Sequence, residues 1–270
     1  MPASCRWAAL CVALLAGLLT AAACGDDGEG DGDTLTVFAA ASLSSAFGEI
    51  GAAFEAEHED VTVEFNFAGS QALATQLVEG AVADVFASAN TTQVERVVAE
   101  DLHDGEPVIF ARNQLAIIVP SDNPAGVESV NDLGDPDLKL VLAAEDVPVG
   151  QYARESLALL AETAEFQEQH PDFGEFNIVS NETNVLQVVT RVRLGEADAG
   201  IVYETDVTPD VAEDVRLIPI PDGLNIIAEY PIVALSGGDT GLAGEFIELV
   251  LSEEGQEILA RWGFRAGETG

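Results

Sequence analysis

Basic residues are scarce in this chain. Lysine and arginine together number 10 against 48 acidic residues, a formal net charge of −38, and Lys139 is the only lysine. A surface of that sign repels phosphate backbones and anionic headgroups, so nucleic acid is excluded as a partner, as is electrostatic attachment to a membrane. The acidity itself reads as a heavily solvated skin and says little about function. Histidine is sparse too: His58, His103 and His170 lie far apart, without metal-like spacing to cysteine or to one another. The phosphate-binding patterns GxxxxGK[ST] and GxGxxG are absent. Cys5, Cys11 and Cys24 are the only cysteines. The first two fall inside a leader, which leaves Cys24 alone in the mature chain and allows no internal disulfide.

Long apolar runs are also missing. Arg6 precedes 17 uncharged residues, 7 to 23, whose centre ALCVALLAGLL is short for a bilayer span and ends in small residues. That is the pattern of a cleaved secretory signal over residues 1–23. TAAAC, residues 20 to 24, resembles the lipobox of bacterial lipoproteins, with Ala21 where leucine is usual and Leu19 two places further back. The resemblance implies lipidation of Cys24 and an extracytoplasmic protein anchored to the cell membrane. Ordinary secretion after a cut near Ala23 is the alternative. GDDGEGDGD, residues 25 to 33, has no apolar side chain to bury, so 24–33 reads as a flexible acidic tether. A calcium loop competes with that reading, but no helix precedes and no bidentate glutamate follows.

What remains is nearly 250 residues in which strand and helix patterns alternate. TLTVFA reads as a buried strand, and Leu43, Ala46, Phe47, Ile50 and Phe54 follow on one helical face. VTVEFNF is a strand, 71–80 a helix stopped by Gly80, DVFAS a strand, 91–101 a helix. Strands then fall at QLAIIVP from 114, at 139–144, 176–180, AGIVYETD, RLIPIP and AEYPIVAL. Helices fall at VPVGQYARESLALL and 181–195, with one or two more between 240 and 262, while 161–175 reads as a helix end and loop. The alternation predicts α/β architecture with mostly parallel sheets flanked by helices. Two lobes fit the order of elements: residues 34–113 and 229–270 form one, and 114–228 the other. A single doubly wound sheet is the alternative.

Four strand-to-helix junctions are built from small or polar residues: ASLSS at 41–45, AGSQ at 68–71, PVGQY at 148–152 and ETNV at 182–185. At such junctions unpaired N–H groups and the positive end of the helix dipole point outward, beyond the carboxyl ends of the strands where α/β sheets bind ligands. Ser42 and Ser70 each read individually as a helix N-cap. An enzymatic role for them is weak: neither lies in GxSxG, and the histidines belong to other contexts. Asp84 and Asp198 each open a strand and read as structural.

VFAAASL at 37–43, FAGSQALATQLVEGAVADVFASA at 67–89, VPVGQYARESL at 147–157 and GIVYETD at 200–206 resemble the molybdate-binding proteins of ABC importers, a likeness running from about Thr34 to the C-terminus. The resemblance implies a type II periplasmic-binding-protein fold, two lobes closing on a tetrahedral oxyanion. It also implies a non-enzymatic, monomeric carrier without cofactor, whose partners are molybdate, and also tungstate, and the permease subunits. Ser42 and Ser70 match the family's serine ligands, Val149 and Val185 the positions that donate main-chain amides, and Tyr203 the tyrosine whose hydroxyl completes the set. No side chain would touch the metal itself. Gln71 departs from the serine or threonine common after the second serine. Sulfate in the same fold, a serine hydrolase using Ser42 or Ser70, and an anion sensor stand as rivals.

Overall fold

The computed structural model describes residues 33–267. The signal segment, Cys24 and the tether as far as residue 32 lie outside the described residues.

β1 (Asp33–Ala40) is buried continuously from Val37 to Ala40. That is the mark of a strand covered on both faces. A single 3₁₀ turn (Ala41–Leu43) leads into α1 (Ser44–Glu57), which lays Ala46, Phe47, Ile50 and Phe54 on the sheet. β2 (Val61–Ala68) runs parallel to β1, with Val37 opposite Phe65. α2 (Ser70–Val78) ends just before Gly80, whose φ of +100° only glycine adopts without strain. β3 (Val85–Ala87) joins β1 in parallel, and α3 (Thr91–Ala99) follows, capped by Asn90, whose side chain accepts the Gln93 N–H.

β4 (His103–Pro120) is longer than the segment predicted from residue 114 onward. Its first half, HDGEPVIFARN, carries charges, a glycine and a proline, and is held as a strand by antiparallel pairing to β9 rather than by its own pattern. β5 (Leu140–Ala143), α4 (Pro148–Ala161) and α5 (Ala164–Gln169) come next. The short α5 lies within the predicted loop 161–175; Thr163 starts it by accepting the Phe166 N–H. After β6 (Ile178–Glu182), Asn184 accepts the Gln187 N–H and so delays α6 (Val185–Arg193), which was expected from residue 181. β7 (Ala199–Tyr203), β8 (Val215–Pro219) and β9 (Ile227–Leu235) precede α7 (Thr240–Leu251) and α8 (Glu253–Arg261). Ser252 separates the last two helices, its hydroxyl accepting the Gly255 N–H. β10 (Arg265–Ala266) closes against β4.

The strands run in the order β2-β1-β3-β9-β4-β7-β5-β6. β4 belongs to both halves of this ladder: it pairs with β9 as far as Gln114 opposite Ile227, and with β7 from Leu115 opposite Tyr203. The result is a two-lobed α/β fold. Pairs among β1, β2 and β3, and among β5, β6 and β7, are parallel, whereas β4, β8, β9 and β10 make the antiparallel seam. Among the described residues no helix is long and apolar enough to cross a membrane.

Asp84 and Asp198 are structural in the same way. Asp84, buried before β3, accepts the Thr36 N–H and the Asp239 N–H at 2.6 Å each, tying β1 to the start of α7. Asp198 accepts the Lys139 N–H at 2.8 Å beside β5. Asp84→Ala removes the acceptor of two partly exposed N–H groups and should lower stability by about 2 kcal/mol, the scale of lost hydrogen bonds to a charged group. Asp84 sits at the amino end of β3, so chemical denaturation should register the loss while ligand affinity stays within twofold, or roughly 0.4 kcal/mol.

Candidate functional site

The carboxyl ends of β1, β2, β5 and β6 feed the four helix starts that the sequence singled out, and all four meet at one cavity. About 220 Å³ of atom-free space lies between them, counted to the open mouth. The cavity proper measures about 20 Å³, room for a guest no larger than a small ion. Ser42, Ser70, Val149, Val185 and Tyr203 all line it, together with alanines, Gly69, Pro148 and Asn184. No charged residue is among the lining groups. The first turns of α1, α2, α4 and α6 contain no acidic residue, in a chain that carries 48 of them. The positive ends of these helices therefore act on the cavity without a local carboxylate to cancel them.

Neither serine caps a helix, contrary to the simplest reading of each. Ser42 sits inside the 3₁₀ turn, and α1 begins after Leu43 with no side-chain cap. Its Oγ instead lies 3.0 Å from the hydroxyl of Tyr230. Ser70 is the first residue of α2, behind Gly69 as N-cap, and its Oγ accepts the Ala89 N–H at 3.0 Å. α4 opens with Val147 as an N-cap lacking a side-chain bond and Pro148 in its first turn. Helix geometry leaves the first N–H groups without an intrahelical acceptor, so those of Val149 and Val185 remain available at the cavity wall.

The position of α4 is set by close packing. A Cβ on Gly150 would stand 2.5 Å from the carbonyl oxygen of Ala143 and closer still to that of Ala144. Arg154 braces the same corner, donating to the carbonyls of Ala143 at 2.8 Å and Gly150 at 2.7 Å, and to Asn181. Burial pulls its ionisation below the usual arginine range, with Glu145 working the other way.

Tyr203 ends β7 with its side chain fully buried and its hydroxyl without a hydrogen-bond partner among the described residues. Burial, followed by the nearby Tyr230, Tyr152 and Asp206, pushes the phenol well above its ordinary range. It stays protonated and can donate. An unpaired buried donor costs about 1–3 kcal/mol, which an acceptor in the cavity would relieve.

Behind the lining lies a polar layer that sequence patterns did not reveal. The chain's three tyrosines, Tyr152, Tyr203 and Tyr230, gather here. Asn113 on β4 donates to Thr205 Oγ1 at 2.7 Å, and its Nδ2 stands 3.5 Å from the Tyr230 hydroxyl. Asp206 accepts the Tyr203 N–H at 2.9 Å through Oδ2, while its buried Oδ1 has no partner among the described residues. Burial raises this carboxyl to about 7, against the lowering effect of the Tyr203 N–H. Next to Ser70 in the chain, the Gln71 amide donates to the Thr183 carbonyl at 3.1 Å, linking the starts of α2 and α6. Only Asp206 had a local signal, three residues past Tyr203; the other contacts span 92 to 188 positions.

The histidines stand elsewhere, each half-buried. His58 stacks on Phe54 near Glu245, and His170 packs on Phe166 with Nε2 at 2.8 Å from the Asn131 carbonyl. His103 begins β4. Ser42 and Ser70 have Tyr230 and the Ala89 N–H as their partners. Neither therefore has the base that a serine nucleophile requires.

The model of the family described as bacterial extracellular solute-binding protein matches residues 35–265. The molybdate-binding protein ModA of Mycobacterium tuberculosis is 37% identical over 270 residues, covering 96% of this chain and 98% of that one. A solved substrate-binding domain of a putative molybdenum ABC transporter from Clostridium difficile is 26% identical, with a TM-score of 0.64 over 87% of this chain and 99% of its own. The sulfate-binding protein SubI of Mycobacterium tuberculosis shares the fold at 17% identity, with a TM-score of 0.76 over 88% of each chain. The chain belongs to the bacterial extracellular solute-binding proteins, in the family of the molybdate-binding proteins of ABC importers, a family that carries solutes and does not transform them.

Proposed function

We propose that this protein captures molybdate, and also tungstate, outside the cytoplasm and delivers it to the permease of an ABC importer. The observation that carries the reading is the unpartnered, buried Tyr203 hydroxyl in a cavity otherwise lined by serines, helix starts and apolar groups. The hydroxyls of Ser42, Ser70 and Tyr203 and the N–H groups of Val149 and Val185 are the donors. A dianion without protons needs donors only. Phosphate near neutral pH keeps a proton part of the time, as phosphoesters with a second ionisation near 6 do, and would need an acceptor that this lining lacks. Neutral, preorganised dipoles in a dry pocket hold a double charge without a counter-ion, which suits a body of net charge −38.

In this reading residues 34–113 and 229–270 form one lobe and 114–228 the other. The change of β4 from its β9 partner to its β7 partner at Gln114 and Leu115 supports that division. Closure of the lobes is the signal to the permease. Lipidation of Cys24 would tether the carrier to the membrane, as the TAAAC stretch suggests.

The test is calorimetry with molybdate, tungstate, sulfate and phosphate. Ser42→Ala and Ser70→Ala should each weaken molybdate binding by about 1–3 kcal/mol, the range for a hydrogen bond to a charged group. Ser70→Ala carries the additional cost of an orphaned Ala89 N–H and should also lower the melting temperature. Binding of sulfate alone would move the protein to a different oxyanion, and unchanged affinity in both variants would remove the serines from the site.

A further inference from the structure

The two serines reach the cavity with their hydrogens set by different means. Ser70 Oγ accepts from the Ala89 backbone N–H, and an amide nitrogen can only donate, so the serine's own hydrogen is left for the cavity. Ser42 has no such amide. Its contact is with the Tyr230 hydroxyl at 3.0 Å, where either oxygen can be the donor. If Ser42 gave its hydrogen to Tyr230, it would turn a lone pair toward the guest and repel an unprotonated anion.

The residue behind Tyr230 decides the direction. Asn113 Oδ1 accepts the Gln114 N–H at 2.9 Å, which fixes the amide so that Nδ2 is the group facing Thr205 and Tyr230. Nδ2 can only donate, at 2.7 Å to Thr205 and at a long 3.5 Å toward the Tyr230 oxygen. Tyr230 is fully buried, with its ring packed edge-on against Phe110, Tyr203 and Phe264, and its hydroxyl faces Ser42, Asn113 and, more weakly, the Tyr203 hydroxyl. Asn113 and Tyr230 stand on β4 and β9, the paired strands at the seam between the lobes.

Resting on the oxyanion reading above, we propose that Asn113 and Tyr230 are positioning residues that fix the hydrogen polarity of Ser42. The Asn113 N–H faces the Tyr230 oxygen, the Tyr230 hydroxyl donates to Ser42 Oγ, and the Ser42 hydroxyl is thereby committed to donate into the cavity. The site gains a built-in preference for oxyanions that carry no proton. Burial keeps the Tyr230 phenol far above its ordinary ionisation range, so the hydrogen it passes forward is always present.

The experiment is a double-mutant cycle on the full chain, read by calorimetry with molybdate and with inorganic phosphate at pH 7.5. Tyr230→Phe keeps the ring and removes the hydroxyl. It should weaken molybdate binding about tenfold in the parent and less than about twofold in a Ser42→Ala background, because coupling of this kind marks residues that act as a unit. Asn113→Asp keeps the acceptor for Gln114 but offers Tyr230 a lone pair, reversing the chain; the molybdate-to-phosphate affinity ratio should drop by about tenfold or more, on the scale of a donor exchanged for an acceptor. Equal losses from Tyr230→Phe in both backgrounds would overturn the proposal while leaving the site reading intact. Should Asn113→Asp not fold, the cycle alone decides. If Ser42→Ala itself leaves molybdate affinity unchanged, both the site reading and this proposal fall.

Discussion

Gly150→Ala should reduce oxyanion affinity by about a hundredfold, whereas Gly48→Ala, a nominally identical change in α1, should leave affinity untouched and raise stability slightly, by up to about 1 kcal/mol. The difference lies in what the new methyl meets. At Gly48 nothing stands within 4 Å, and alanine simply favours the helix. At Gly150 the methyl is driven into the carbonyls of Ala143 and Ala144, which belong to backbone and cannot rotate away. The first turn of α4 must lift off the end of β5. Overpacking of this kind costs about 1–3 kcal/mol in stability. The functional cost is larger, because the Val149 N–H lies in the same turn and Arg154 is bonded to both sides of the corner. Misaligning the Val149 N–H, a donor to a dianion worth up to about 3 kcal/mol, corresponds to the hundredfold loss. Calorimetry with molybdate and thermal unfolding on the same preparations separate the two effects. Retained affinity with lowered stability would mean that α4 does not position a donor.

The parts of the site that could be read from the sequence are those whose chemistry is local. Ser42, Ser70, Val149 and Val185 each sit at a strand-to-helix junction, and junction geometry follows from a few adjacent residues. Their meeting in one cavity was available only through the family likeness, because no periodicity reports on the approach of α1, α2, α4 and α6. The serines also show how a local rule misleads. Serine at a helix start normally caps, yet both hydroxyls are engaged across the fold, Ser42 with a tyrosine 188 positions away and Ser70 with Ala89. Tyr230 was invisible for the same reason: AEYPIVAL reads as any buried strand. The first half of β4 was missed because antiparallel pairing, not alternation, makes it a strand, and α5 because six residues carry too little period to stand out from a loop.

Between pH 4 and pH 7 the protein should lose stability relative to an Asp206→Asn variant, and above pH 7 the variant should be the more stable of the two by about 2–4 kcal/mol. The reasoning starts from burial, which lifts the Asp206 carboxyl from 3.8 to about 7. Below pH 4 the folded and unfolded chains both hold the proton, and the group contributes nothing to the pH dependence. Between 4 and 7 the unfolded chain releases its proton while the folded chain keeps it, so each rise in pH favours unfolding. A gap of about three pH units corresponds to roughly 4 kcal/mol once the folded carboxyl has also ionised. Asparagine retains an oxygen for the Tyr203 N–H and never ionises, although its buried amide hydrogens take back part of the gain. Arg193 and Asp210 line the same cavity as Asp206, and Arg193 is already paired with Asp214 at 2.6 Å, so neither supplies a dedicated counter-ion. Binding should follow the same curve. An ionised Asp206 directly behind Tyr203 opposes the arrival of a dianion, so molybdate affinity should weaken as the pH passes 7 in the parent and stay flat in the variant. Denaturant unfolding and calorimetry at pH 4.5, 6 and 8 provide both comparisons. A parent-to-variant difference that does not change with pH would show that Asp206 is already charged in the folded protein, and that the acidic body reaches closer to the anion than the neutral lining suggests.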